Sequence, residues 1–129
     1  MSPVEELRLA EYARRLTLLR RAVVATGDTP SVGRTLYERA ARGGAAALGL
    51  EAGCIEAGVR ADLVVLDPDA PSLLGAEGDG VLDALIFSGN VSPVRHVMAG
   101  GRWLVRERRH RHRERYLKGY RAALARLWT

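Results

Sequence analysis

A chain of 129 residues with a formal net charge of +5 has the length of one domain and can bury a core. Its 47% apolar and 27% charged residues exclude a disordered chain. No apolar run approaches the roughly 20 residues that cross a bilayer, and the opening MSPVEELRLAEYARR is charged throughout, which excludes a secretory signal there. Cys54 is the single cysteine, so no internal disulfide can form and a reducing compartment, the cytoplasm, is expected.

The first element is expected to be a long helix. Ser2 can cap it, Pro3 suits the first helical position and Glu5 completes a Ser-x-x-Glu capping box. Leu9, Tyr12, Leu16, Leu19 and Val23 recur at steps of three and four, an apolar stripe that runs on toward Gly27-Asp28, where the helix ends. Glu11 precedes Arg14 and Arg15 at spacings that pair on an outer face. A second helix starts near Ser31, with Val32, Leu36, Ala40 and Leu48 inward; its GGAAALG portion permits close approach to a neighbour. From Gly53 to Arg106 the pattern changes to strands and turns: Leu63–Leu66, as a buried strand, then Leu82–Phe87, Val94–Ala99 and Arg102–Arg106. Gly100-Gly101 separates the last two by two residues that both tolerate positive φ, a hairpin signal. Tyr116, Tyr120, Leu124 and Leu127 mark a closing helix. The order is helix, helix, strands, helix. About four strands with open edges make a marginal sheet, and the chain reads as if it began in mid-fold.

No catalytic constellation assembles from these residues. His96 alternates with Val94 and Met98 and reads as a packed or hydrogen-bonded side chain. His110 and His112 stand two apart among arginines, whose charge opposes a bound cation. Cys54 follows Gly53 in a turn and reads as an inert thiol. Asp62 and Asp67 bracket a strand as solvated ends, because an acid–base pair must share one cleft. No phosphate loop, nucleophile elbow or paired-cysteine zinc pattern is present. Much of the positive charge sits in Arg106–Arg115, RERRHRHRER, with six arginines against two glutamates. Without interleaved aromatics it reads as a solvated strand end and helix start rather than a nucleic-acid surface. No catalytic, cofactor-binding or metal-ligating residue is assigned.

The stretch GCIEAGVRADLVVLD resembles a recurring segment of the amidohydrolase superfamily, Gly-x-Ile-x-x-Gly-x-x-Ala-Asp-Leu-Val-Val-Leu-Asp. Gly53, Ile55, Gly58, Ala61, Asp62, Leu63, Val64, Val65, Leu66 and Asp67 match it. There it leads the chain from the last helices of a TIM barrel back to a small β-sandwich. VRHVMAGGRWLVRERRH is similar to the hairpin that usually follows. Within the superfamily, SPVEELRLAEYARRL, PSVGRTLYERAARGGAAALG and RYLKGYRAALARL resemble helices of the formimidoylglutamate deiminase family, although Ala13 and Arg14 depart from that family's EYxxRL helix.

The resemblance implies an α/β fragment: the C-terminal helices of a metal-dependent TIM-barrel hydrolase plus part of its composite β-sandwich domain. Residues 1–50 would be terminal barrel helices, 51–110 partial sandwich strands and 111–129 the C-terminal helix. It also implies a divalent metal, usually zinc, whose ligands lie upstream of this chain. The reaction would be attack of metal-activated hydroxide on a formimino carbon, releasing ammonia and leaving formylglutamate, in histidine degradation. By the same resemblance the segment is structural and inactive alone. Its partners would be the missing N-terminal barrel and, in the parent, a small-molecule substrate; no nucleic acid or membrane is expected, and a homodimer stays open. Two other readings also stay open. One is another amidohydrolase deaminase subfamily, of cytosine, guanine or chlorohydrolase type; the other is a small self-standing basic interaction module.

Overall fold

The computed structural model describes residues 2–128. Four helices and four strands follow in the order α1 (Pro3–Leu18), α2 (Val32–Ala47), β1 (Leu63–Leu66), α3 (Gly80–Phe87), β2 (Val94–Ala99), β3 (Arg102–Arg106), β4 (Arg109–His110) and α4 (Arg113–Leu127). The strands form one antiparallel sheet in sequence order, β1-β2-β3-β4. The helical layer is α1 and α2, each packed on α3.

Three of the four expected strands lie where the alternation placed them, and Gly100 and Gly101 form the hairpin turn at φ 53° and 74°. The fourth, Leu82–Phe87, is helical, as part of α3. A short apolar run cannot by itself distinguish a strand from a buried helix. Here Leu85 and Ile86 both point into the core, at 7% and 0% exposure, and Asp83 on the same helix caps α2. β1 is an edge strand rather than a buried one, with Val64 and Val65 exposed. A register shift falls at Val65/Leu66.

The first helix is also shorter than its stripe predicts. Ser2 caps it, its Oγ accepting from the Glu5 N–H at 3.4 Å, but Leu19 turns left-handed at φ 50° and ends it. The cause is Glu11. This carboxylate is fully buried, accepts from Arg15 Nε at 2.8 Å and accepts from the Val23 N–H at 2.9 Å, which folds residues 19–24 back against the helix. The Glu11–Arg15 pair therefore faces inward rather than outward. The stripe itself is largely on the surface: Leu9, Tyr12, Leu16 and Leu19 are exposed, while Val4 and Leu7 pack on the core.

On α2, Ser31 caps through Oγ to the Arg34 N–H, and Val32 and Leu36 are buried as expected. Ala40 and Leu48 are exposed, against expectation. Gly43 and Gly44 have open space around them; the close approach is made by Gly33, where a Cβ would lie 2.5 Å from the α3 backbone at Leu82 and Asp83.

The core is small. Val24, Val32, Leu36 and Ile86 form its centre, and α4 buries no residue. The chain exposes 9811 Å². A self-contained folded protein of 14.1 kDa exposes about 6,700 Å², so about 3,000 Å² more of this chain is uncovered than a closed domain would leave.

Candidate functional site

The motif around β1 works as a clamp. Asp62 accepts from the Gly100 N–H at 2.6 Å and from Arg60 Nε at 3.0 Å, and the Gly101 N–H donates to the Ala61 carbonyl. These bonds tie the start of β1 to the turn of the β2–β3 hairpin. At the far end the Asp67 N–H donates to Pro93 O, and Asp67 Oδ2 accepts from Arg108 Nη2 at 2.8 Å. The Gly100 N–H, then Arg60, holds the Asp62 carboxyl below its ordinary range; Arg108 does the same for Asp67. Both aspartates are register pins at opposite ends of one strand and share no cleft. Gly53 has its own reason: its φ is +93° and a Cβ there would sit 2.7 Å from the Ala41 carbonyl oxygen on α2.

A second cluster surrounds the two-residue turn between β3 and β4. Glu107 and Arg108 both have positive φ, 45° and 61°, without being glycine, which costs roughly 1 kcal/mol or more each. The conformation is held from outside: Arg95 Nε donates to Glu107 Oε2 at 2.8 Å, and the Arg108 N–H donates to Arg95 O at 2.8 Å. Arg95 keeps the Glu107 carboxyl below its ordinary range. His96 Nδ1 accepts from the Glu107 N–H at 3.2 Å, and its ring meets Trp103 edge-on at 5.7 Å. That is the packed, hydrogen-bonded histidine the alternation suggested.

His110 and His112 lie with Tyr116 in a group of three rings. His110 Nδ1 accepts from the His112 N–H, and His112 Nε2 accepts from Arg111 Nε at 2.9 Å. Partial burial, then the Arg111 charge, lowers the His112 pKa. Cys54 is half-buried beside Tyr37 and Leu63 in a cleft between α2 and β1. Among the described residues no group of three or more His, Cys, Asp or Glu could hold a metal ion. His110 Nδ1 and His112 Nε2 are both engaged as acceptors.

The contact most absent from the sequence reading is Arg8. Its guanidinium donates to Ile86 O at 2.6 Å, to Asn90 Oδ1 at 2.7 Å and to Gly89 O, joining α1 to the C-terminal end of α3. An exposed-looking arginine in a charged helix carries no signal of such a role. Beside it a cleft of about 320 Å³ lies between the start of α1 and the 89–94 loop, with Val4, Tyr37, Val64, Leu85 and Val91 in its walls. Its one guanidinium is already spent on the loop. Asp83 is the other missed residue. Its Oδ1 accepts from the Gly33 N–H at 2.6 Å, and the one legible sign was a lone carboxylate inside an apolar run.

No helix among the described residues is long and apolar enough to cross a membrane. The amidohydrolase family model matches residues 5–104. The chain is 47% identical over 120 residues to a formimidoylglutamate deiminase of Pseudomonas aeruginosa, covering 93% of this chain and 26% of that protein. It is 35% identical over 105 residues to a 5-methylthioadenosine/S-adenosylhomocysteine deaminase of Natronomonas pharaonis, covering 81% of this chain and 22% of that one. The crystal structure of an amidohydrolase from Brucella melitensis superposes with a TM-score of 0.81 at 36% identity, over 96% of this chain and 27% of its own. The chain thus spans about a quarter of the length of these relatives. With the family model matched over most of its length, the chain belongs to the amidohydrolase family.

Proposed function

We propose that this chain is the C-terminal part of a formimidoylglutamate deiminase-like amidohydrolase, acting in the cytoplasm in histidine degradation. The enzyme hydrolyses N-formimino-L-glutamate to N-formyl-L-glutamate and ammonia. The observation that carries the reading is the 47% identity to the Pseudomonas deiminase over 93% of the chain, against 35% over 81% for the Natronomonas deaminase. The segment's part is structural. Residues 1–50 serve as helices of a barrel wall, 51–110, apart from the helix α3, as strands of a composite sandwich and 111–129 as the closing helix. The metal centre, zinc in this reading, and the substrate groups belong to the part of the enzyme outside this chain. The surplus of about 3,000 Å² of uncovered surface supports a barrel as the missing cover and weighs against a self-standing module.

A graft tests the assignment. The chain replaces the matching segment of the Pseudomonas deiminase and, separately, of the Natronomonas deaminase, and ammonia release is followed on each parent's own substrate. Activity restored in the deiminase hybrid alone is expected. Activity in the deaminase hybrid alone would move the chain to the second subfamily, and ammonia release by the isolated chain would end the structural reading.

A further inference from the structure

The joint between β4 and α4 is built on two histidines. His112 stands at the N-cap of α4 and gives it no side-chain cap. The first turn carries Arg113 and Arg115, whose charges oppose the positive end of the helix dipole. What fixes this helix start is a knot around His112. Its N–H donates to His110 Nδ1 at 3.1 Å, its carbonyl accepts from the Tyr116 N–H at 3.1 Å, and its Nε2 accepts from Arg111 Nε at 2.9 Å. The His110, His112 and Tyr116 rings close on one another, with centroids 5.4 to 6.1 Å apart. Both histidines are half-buried.

The knot needs both rings neutral. A nitrogen that accepts a hydrogen bond carries no proton, so His110 holds its proton at Nε2 and His112 at Nδ1. A second proton must displace the His112 N–H from one ring or Arg111 from the other. It also meets charge of its own sign. Arg111 in the turn and Arg115 on α4 face His112. On β4, Arg109 is paired with Glu114; on β3, Val105 stands opposite His110 and the Arg106 guanidinium lies over Trp103. Glu114, the one acid on α4, is already faced by Arg109, Arg113 and Arg121. His96 makes the contrast. Its Nδ1 also accepts a backbone N–H, from Glu107, but Glu107 Oε1 lies 3.6 Å from its Nε2 and would receive the charge.

We propose that the β4–α4 joint is a proton-sensitive hinge, in which protonation of His110 and His112 unties the first turn of α4 from the sheet. This does not depend on the substrate proposed above. Burial, then the Arg111 charge, holds His112 below its ordinary 6.5. A base with a lowered folded pKa contributes its stabilisation in full above the ordinary value and loses it as pH falls through the lower one. The joint is therefore closed above about pH 7 and opens progressively below about pH 6.5, while the aspartate-held sheet stays level to about pH 5.

The test follows the 129-residue chain from about pH 7.5 to about pH 5. Amide protection at Tyr116, Leu117 and Lys118, corrected for intrinsic exchange, should fall about five- to tenfold. β2 and β3 should stay level, and return to neutral pH should restore the turn. The two imidazoles, followed by proton NMR, should titrate in step with the amides, a readout that needs no substitution. His110→Asn with His112→Gln offers oxygens in place of the accepting nitrogens and takes up no proton in this range. That doubly substituted chain should hold its protection level throughout, whereas His96→Gln should leave the native decline in place. His112→Lys, charged throughout, should show at neutral pH the loose turn that the native chain shows in acid. Level protection at residues 116–118 in the native chain would overturn the proposal. So would a decline of native size in the doubly substituted chain, or imidazole titrations that run apart from the amide change.

Discussion

Replacing Gly33 by alanine tests the packing of α2 on α3 with a single methyl group. The added Cβ would stand 2.5 Å from Asp83 N, Leu82 C and Leu82 O, all of them backbone atoms. Carbon contacts settle at about 3.5 Å, so the two helices must part by about 1 Å. That movement has a second consequence, because the Gly33 N–H donates to Asp83 Oδ1 at 2.6 Å. A further ångström takes this bond past the limit of a useful hydrogen bond. Overpacking costs about 1–3 kcal/mol, and the loss of a bond to a charged acceptor about 1.5–3 kcal/mol. Exchange of glycine for alanine in a helix returns about 0.5–1 kcal/mol. The net expectation is a loss of about 1.5–5.5 kcal/mol, or a fall in Tm of roughly 6–22 °C for a chain of this size. Gly43→Ala and Gly44→Ala make the control. They lie in the same helix with nothing within 4 Å of the added carbon, and each should gain about 0.5–1 kcal/mol. Thermal unfolding followed by circular dichroism at 222 nm (about the helix minimum) reads all three. Gly33→Ala at or above the stability of Gly43→Ala would refute the close crossing of α2 and α3.

Removing the Arg8 guanidinium, as in Arg8→Met, should free residues 86–90 from α1. About 2 kcal/mol of local protection would go, seen as faster amide exchange in that segment with β2–β3 unaffected. Glu11→Ala leaves the Val23 N–H and Arg15 without their acceptor; a loss of about 3 kcal/mol is expected in denaturant titration, with residues 19–24 exchanging first. The strand clamp is acid-sensitive. Asp62 and Asp67 are held below their ordinary 3.8, and Glu107 below its ordinary 4.5. A depressed pKa in the folded state means the stabilisation is complete above the ordinary value and is lost as pH falls through the lower, folded one. Protection of the β1–β2–β3 amides should therefore stay level down to about pH 5 and decline below about pH 4. Asp62→Asn should flatten that decline, and an unchanged acid profile in Asp62→Asn would remove Asp62 from the account.

The sheet was legible in the sequence because its rules are local. Alternation places Val94–Ala99 and Arg102–Arg106, and two glycines between them admit one kind of turn. Ser2 and Ser31 announce their helices for the same reason, since a cap needs its hydroxyl three residues before a free N–H. What stayed hidden depends on partners distant in sequence. Leu19 carries no helix-stop signal; it ends α1 because a buried carboxylate eight residues earlier draws Val23 back. Leu82–Phe87 has the apolarity of a strand and becomes a helix through what surrounds it, with Gly33 admitting its backbone and Asp83 meeting the α2 N-terminus. The charged residues of the β1 motif looked like solvated ends, yet the Asp67 side chain is only 19% exposed, and both aspartates are spent on named bonds. The pattern of a strand shows where charge can stand; it does not show which distant N–H that charge will hold.

The two sides of α1 bear on what surrounds the fold. Toward α3 it presents Val4 and Leu7 to the core and the Glu11–Arg15 pair to the returning chain. On its other side Leu9 and Leu16 are 54% and 76% exposed, while Tyr12 meets Phe87 of α3 at 5.8 Å. A helix at the surface of a soluble protein is apolar along one stripe; a helix apolar on both sides is buried from both. The edge strand makes the same case, since Val64 and Val65 stand exposed at an open sheet edge that folded proteins ordinarily cover. A partner burying the surplus of about 3,000 Å² would exceed the roughly 800 Å² per side of an ordinary association. That scale matches a domain core divided in two, so the cover for α1 and β1 is better sought in the same enzyme than in a passing partner.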